Sequence, residues 1–206
     1  MVVLVTGGSG SGKSAFAEEY LMCLSTQAET KYYIATMQPF GEESLAKIRR
    51  HQRLRAGKGF TTIEQSRDLT KAAQRIAKPS NQFQEEAVTI NRPENSVPFI
   101  RDTALLECMS NLAANEMFEE KGAGEKTVEA VLEGIKKLRS QVRHLVIVTN
   151  EIFSEAASYE GDTIRYQEYL GIINQNIGKM ADEVVEVVYG IPIWHKGGKI
   201  IENAVE

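Results

Sequence analysis

Short apolar runs alternate along this chain with stretches whose apolar residues recur every three or four positions. The runs predict strands at 2–6, 32–36, 61–64, 103–107, 145–149 and 183–189. The amphipathic stretches predict helices at 14–24, 42–55, 67–77, 110–119, 125–141 and 162–180. The last of these carries Ile164, Leu170, Ile173 and Ile177 as its apolar face. Residues 191–194 and 199–202 read as a terminal hairpin turning at Gly197-Gly198. Strands alternating with helices over most of the chain point to an α/β fold with a mostly parallel central sheet. The stretch 78–98 is polar, holds three of the five prolines and shows no period, so it reads as a surface excursion. With no internal repeat, the 206 residues are expected to form one nucleotide-binding domain, 1–206.

Between the first strand and the first helix stands Gly7-Gly8-Ser9-Gly10-Ser11-Gly12-Lys13-Ser14, a full match to G-x-x-x-x-G-K-[ST]. Glycines let backbone N–H groups converge on phosphate oxygens, and the following helix aims its positive end at the same place. In this motif Lys13, expected to be exposed at the loop, reaches the β- and γ-phosphates, and the Ser14 hydroxyl ligates Mg²⁺. The chain is therefore expected to bind a nucleoside triphosphate.

Such an enzyme needs an acid near the metal. Glu107 ends the apolar run 103–107 and should emerge at the carboxyl end of a central strand beside the loop. It would hold Mg²⁺ through water, take the proton of an attacking hydroxyl, or merely cap a helix. Asn150-Glu151 follows the strand at 145–149 as a second polar tip of that edge.

Charge changes the picture at one place. The chain has a formal net charge of −4, which argues against a general nucleic-acid binder. Yet residues 47–55 concentrate six basic side chains, counting His51. Such a cluster is either a solvated helix face or a phosphate clamp; in the second case neighbouring cations favour the neutral, nucleophilic form of His51. His144 and His195 have no such setting and read as structural or solvent-facing. No apolar run is long enough to span a membrane, the N-terminus shows no signal-peptide pattern, and Cys23 and Cys108 lie far apart in sequence. These features predict a cytoplasmic protein in a reducing compartment.

A resemblance sharpens the function. The run Leu4-Val5-Thr6-Gly7-Gly8 into Ser11-Gly12-Lys13-Ser14, the block Tyr33-Ile34-Ala35-Thr36, the pair Arg50-His51, and Leu105-Leu106-Glu107-Cys108 with Ser110-Asn111-Leu112 resemble one family. So do Val148-Thr149-Asn150-Glu151, Asn174-Gln175, Ala181-Asp182-Glu183-Val184 and Gly190-Ile191-Pro192. It is the bifunctional adenosylcobinamide kinase/adenosylcobinamide-phosphate guanylyltransferase family of cobalamin biosynthesis. The resemblance implies a RecA-like P-loop fold with helices on both faces of the sheet, and two reactions using ATP or GTP with Mg²⁺. The first phosphorylates the aminopropanol hydroxyl of adenosylcobinamide; the second transfers GMP from GTP through a guanylylated histidine. By similarity that histidine is His51, and Gln52, Arg53, Leu54, Arg55, Thr36, Glu64 and Glu107 contact the guanine nucleotide. A ring-like homo-oligomer, such as a trimer, is also implied. The chain departs from the family at 153–158 and 56–60, which leaves a small-molecule kinase of another substrate, or a nucleotide-binding regulatory paralogue, as the alternatives.

Overall fold

The computed structural model describes residues 1–38, 41–42, 49, 52–53, 56–77, 102–153 and 161–198. Seven strands form one sheet: β1 (Val2–Thr6), β2 (Lys31–Ala35), β3 (Phe60–Glu64), β4 (Thr103–Glu107), β5 (His144–Val148), β6 (Glu183–Val188) and β7 (Ile191–Lys196). Their order across the sheet is β3-β2-β4-β5-β1-β6-β7. All pairings are parallel except β6 with β7. The helices are α1 (Lys13–Leu24), α2 (Leu69–Ala77), α3 (Met109–Phe118), α4 (Thr127–Gln141) and α5 (Asp162–Met180), with a 3₁₀ turn at Gly124–Lys126 before α4.

The central strands β1, β4 and β5 are apolar at nearly every position because both their faces are covered. Val2, Leu4, Ile34, Leu106, Leu145 and Ile147 face a core closed by Leu69 of α2, Leu112 of α3, Ile135 of α4 and Leu170 of α5. The alternate residues Val3, Val5, Tyr33, Leu105, Val146, Val148, Val185 and Val187 face Ala17, Tyr20 and Leu21 of α1. The expected helices on both faces are present, with α1 alone against one face among the described residues.

The structure adds one element to the expectations and corrects one residue. A hairpin the sequence reading did not anticipate joins β6 to β7, with Val188 opposite Ile191 and a two-residue turn at Tyr189-Gly190. Both turn residues take left-handed backbone, φ 51° and 81°, which is what a type I′ hairpin turn demands. Residues 199–202 lie outside the described residues. Ile164 is 43% exposed, whereas Leu170, Ile173 and Ile177 are buried. Those three follow one helical stripe, and a position six residues before Leu170 falls off it.

Candidate active site

The parallel sheet brings the ends of β1, β4 and β5 to one edge. The register aligns Ala35 with both Glu64 and Glu107, so those carboxylates end two strands flanking β2. Glu107 ends the central strand β4, with β5 standing between that strand and β1. It reaches the loop nonetheless. Residues of β4 alternate faces, and Glu107 shares the α1 face with Leu105, where Ser14 Oγ donates to Glu107 Oε1.

The phosphate loop leaves β1 through Gly7, where a Cβ would stand 2.6 Å from the Val187 carbonyl oxygen. It enters α1 through Gly12, at φ 92° and hard against Gly190. A side chain at either position would push the loop off the hairpin. At Gly8 and Gly10, by contrast, an added Cβ meets no atom within 4 Å, so the open face of the loop lies there. No acceptor among the described residues takes the N–H of Gly12, Lys13 or Ser14, and no side chain caps the helix. These donors, at the positive end of α1, suit an anion.

Lys13 is not exposed as expected: 8% of its surface is accessible, and Nζ donates to the Gly8 carbonyl at 3.0 Å. Burial lowers its pKa from the ordinary lysine value, with Cys108 and Glu107 opposing that shift. Among the described residues it has no ion-pair partner. The ammonium is stowed across the mouth of its own loop, poorly solvated and held by a carbonyl dipole alone. A phosphate is a far stronger partner for it.

Around Glu107 the structure adds groups that the sequence reading did not assign. Tyr33 Oη donates to Glu107 Oε2 at 3.0 Å, so both carboxylate oxygens are engaged and the group is fixed in direction. The register offered a signal: Tyr33 pairs with Leu105, two residues before Glu107 and on the same face. The Thr36 hydroxyl accepts from Cys108 N at 2.7 Å and donates to Cys108 O at 2.8 Å. Thr36 is fully buried, and its side chain braces the tip of β4. Asn150 Nδ2 donates to Ser110 Oγ at 2.8 Å, and Glu151 N to the Gly7 carbonyl at 3.0 Å, which ties the tip of β5 to both neighbours. Burial pushes the Cys108 thiol up, away from its reactive thiolate form.

The basic segment is described in part. Gln52 and Arg53 are helical and exposed, while His51, Leu54 and Arg55 lie outside the described residues, as does 78–98. Gln52 lines an open cleft of about 440 Å³ with Ala56, Gly57, Gly59, Phe60 and Thr62. Among the described residues no hydrogen bond joins Gln52, Arg53 or the exposed Glu64 side chain to the phosphate loop. The segment is moored to α1 one step further on: Lys58 Nζ meets Glu18 Oε2 at 2.6 Å, and Glu18 is 2% exposed. His144 is half-buried at the opposite edge and His195 pairs with Glu186 at 3.0 Å, as structural or solvent-facing residues do.

No group of three or more His, Cys, Asp or Glu side chains suited to a metal occurs among the described residues. Ser14 and Glu107 present oxygen ligands in contact with one another. That set is too small to cage a metal alone, yet it fits Mg²⁺, which uses one or two carboxylates together with substrate phosphates.

The cobinamide kinase / cobinamide phosphate guanyltransferase family model matches residues 3–91 and 74–194. This chain belongs to that family. Two relatives carry the name bifunctional adenosylcobalamin biosynthesis protein CobU. The one from Escherichia coli K12 is 26% identical over 204 residues, and the one from Salmonella typhimurium LT2 is 27% identical over 207. Each alignment covers 94% of this chain and 98% of the relative. Among solved structures, an ATPase domain superposes with a TM-score of 0.50 at 10% identity. The match covers 90% of this chain and 68% of that one, and shows the shared RecA-like P-loop fold alone. No described helix is long and apolar enough to cross a membrane.

Proposed function

We propose that this member of the family phosphorylates the hydroxyl of adenosylcobinamide at the phosphate loop and then transfers GMP from GTP to the phosphorylated corrinoid through His51. The observation that carries the first half is the convergence of Lys13, Ser14 and Glu107 on one mouth of the loop.

When triphosphate enters, the free N–H groups at the start of α1 bind its oxygens, and Lys13 exchanges the Gly8 carbonyl for the β- and γ-phosphates. Ser14 and Glu107 would hold Mg²⁺, which supplies neutralising charge on the phosphates. Tyr33 keeps the Glu107 carboxylate aimed while Ser14 turns away from it. The corrinoid hydroxyl attacks the γ-phosphorus, the nucleoside diphosphate leaves, and the hydroxyl proton passes to solvent or to Glu107. In the second half an imidazole nitrogen of His51 attacks the α-phosphorus of GTP and expels pyrophosphate. The corrinoid phosphate then takes the GMP and restores the free histidine. The cations around His51 support this reading because they favour neutral imidazole and can stabilise the departing pyrophosphate. The setting we propose is cytoplasmic, in keeping with two free cysteines, and a homo-oligomer would bring further subunits' edges to the site.

The test is covalent labelling. With GTP labelled at the α-phosphate and no corrinoid, the protein should acquire an acid-labile, base-stable adduct, and label at the γ-phosphate should not stay. His51→Asn should lose that adduct while still phosphorylating the corrinoid hydroxyl. An adduct that persists in His51→Asn, or none in the wild type, removes the transferase half.

A further inference from the structure

The β6–β7 turn touches the phosphate loop from the side opposite Glu107. Gly190 N donates to the Ser11 carbonyl at 2.8 Å, and a Cβ on Gly12 would stand 3.3 Å from Gly190 Cα. The residue before Gly190 is Tyr189. Its backbone is held at φ 51°, a region that bulky side chains rarely adopt, and its side chain is 93% exposed. No hydrogen bond or ring contact to Tyr189 occurs among the described residues. Two unfavourable features therefore meet in one residue: a left-handed backbone that Asn or Gly would satisfy better, and an aromatic ring in water. Backbone outliers of this kind concentrate where a ligand is handled.

The order of the strands says which part of the ligand comes here. A triphosphate in the loop directs its β- and γ-phosphates to Lys13 and the Ser14–Glu107 pair. Glu107 lies on the β5–β4 side of β1, whereas β6 and β7 lie on the other side. With the terminal phosphates aimed at Glu107, the α-phosphate and the nucleoside leave the loop towards the β6–β7 turn. A nucleoside leaving that way would meet Tyr189, which is exposed and has no ring contact among the described residues.

We propose that Tyr189 stacks on the base of the nucleotide held by the phosphate loop. Stacking needs only a π-face, so it serves guanine and adenine alike and leaves base selectivity to other residues. The inference rests on the loop being a nucleotide site, and is independent of His51.

Calorimetric titration of the full chain with Mg²⁺ and GTP, ATP or inorganic tripolyphosphate tests it. Tyr189→Ala should weaken GTP and ATP by roughly 5- to 150-fold, the range that stacking on one aromatic ring spans. Tyr189→Asn should do the same with a turn at least as well formed, since Asn suits the left-handed position. Tyr189→Phe should bind nucleotides as the wild type does, and tripolyphosphate should bind all four proteins equally. Unchanged nucleotide affinity in Tyr189→Asn overturns the proposal. So does an equal loss for tripolyphosphate, which would mean that the turn only props the loop. A change in sedimentation of Tyr189→Asn without a change in affinity would assign the ring to a contact between copies of the chain, and also overturns it. A wild type that binds none of the three ligands refutes the loop reading itself, a failure distinct from that of Tyr189.

Discussion

At the amino edge of the sheet, carboxylates close on donors of the chain itself. Glu29 accepts from Arg143 Nη1 at 2.8 Å and from Thr26 N at 3.0 Å, Asp182 from Val2 N at 2.7 Å, and Asp102 from Thr30 N at 3.3 Å. At the carboxyl edge the donors outnumber what the chain offers them: the N–H groups that open α1 have no acceptor among the described residues, and Lys13 has a lone carbonyl. Among the described residues each edge holds one buried unpaired side-chain atom, His144 Nδ1 and Ser11 Oγ. At His144 burial first, then neighbouring cations, favour the neutral ring, so that atom adds no charge in want of a partner. The difference is one of completion. Charges placed at the ends of parallel strands become structure where the chain supplies the counter-group, and become a site where a ligand must supply it.

The sharpest way to break this contrast is at Lys13. Lys13→Ala should lower phosphoryl transfer by about 10²- to 10³-fold, as loss of a positioned charge stabiliser does. Thermal stability should hold or rise slightly. The sign follows from the lowered pKa: folding disfavours the charged lysine, and that cost is fully present below the folded-state pKa, hence at neutral pH. A large fall in melting temperature with turnover retained would make Lys13 a structural residue like those of the other edge.

Glu107 comes second. Glu107→Gln keeps the shape and one acceptor but removes the charge, so kcat should fall roughly 10- to 100-fold while nucleotide Kd changes only about two- to threefold. Tyr33→Phe removes the hydroxyl that aims the carboxylate while leaving the charge in place, and should cost less. Stability loss without a change in kcat would place Glu107 with the completed carboxylates.

The sheet was legible because its strands are apolar runs bounded by turn residues, and six observed strands lie within a residue of their expected bounds. The loop was legible because its eight residues state their chemistry in order. What escaped needed the third dimension. The Tyr189-Gly190 turn carries none of the Asn-Gly or Asp-Gly signature of its type, so no hairpin was expected there. Helix α2 starts at Leu69, two residues late, because Asp68 takes φ 50° and gives its N–H to Glu116. Lys13 was expected in solvent because a lysine has no sequence cue for folding back on its own loop. Thr36 shares a sequence block with the site but turns its hydroxyl to the Cys108 backbone, which only the pairing of β2 with β4 reveals.

The smallest effect on activity should come from the amino edge, and it tests the other half of the contrast. Glu29 is buried and receives two donors, one on each carboxylate oxygen, linking the turn after α1 to the start of β5. In Glu29→Gln one of those oxygens becomes an NH₂ group, which cannot accept. Either the half-exposed Arg143 guanidinium or the Thr26 N–H then loses its acceptor at the buried Glu29 position and faces another donor. Loss of one charged hydrogen bond costs about 1.5–3 kcal/mol. In a chain of this size that lowers the melting temperature by about 2–4 °C per kcal/mol. The kcat and KM of phosphoryl transfer, measured well below the melting transition, should stay at wild-type values, because no element of the phosphate loop depends on Glu29 for a partner. Calorimetric melting set beside steady-state kinetics decides it. If turnover falls with Glu29→Gln while melting is unchanged, the amino edge communicates with the site, and the division of the sheet into a finished edge and an unfinished one is wrong.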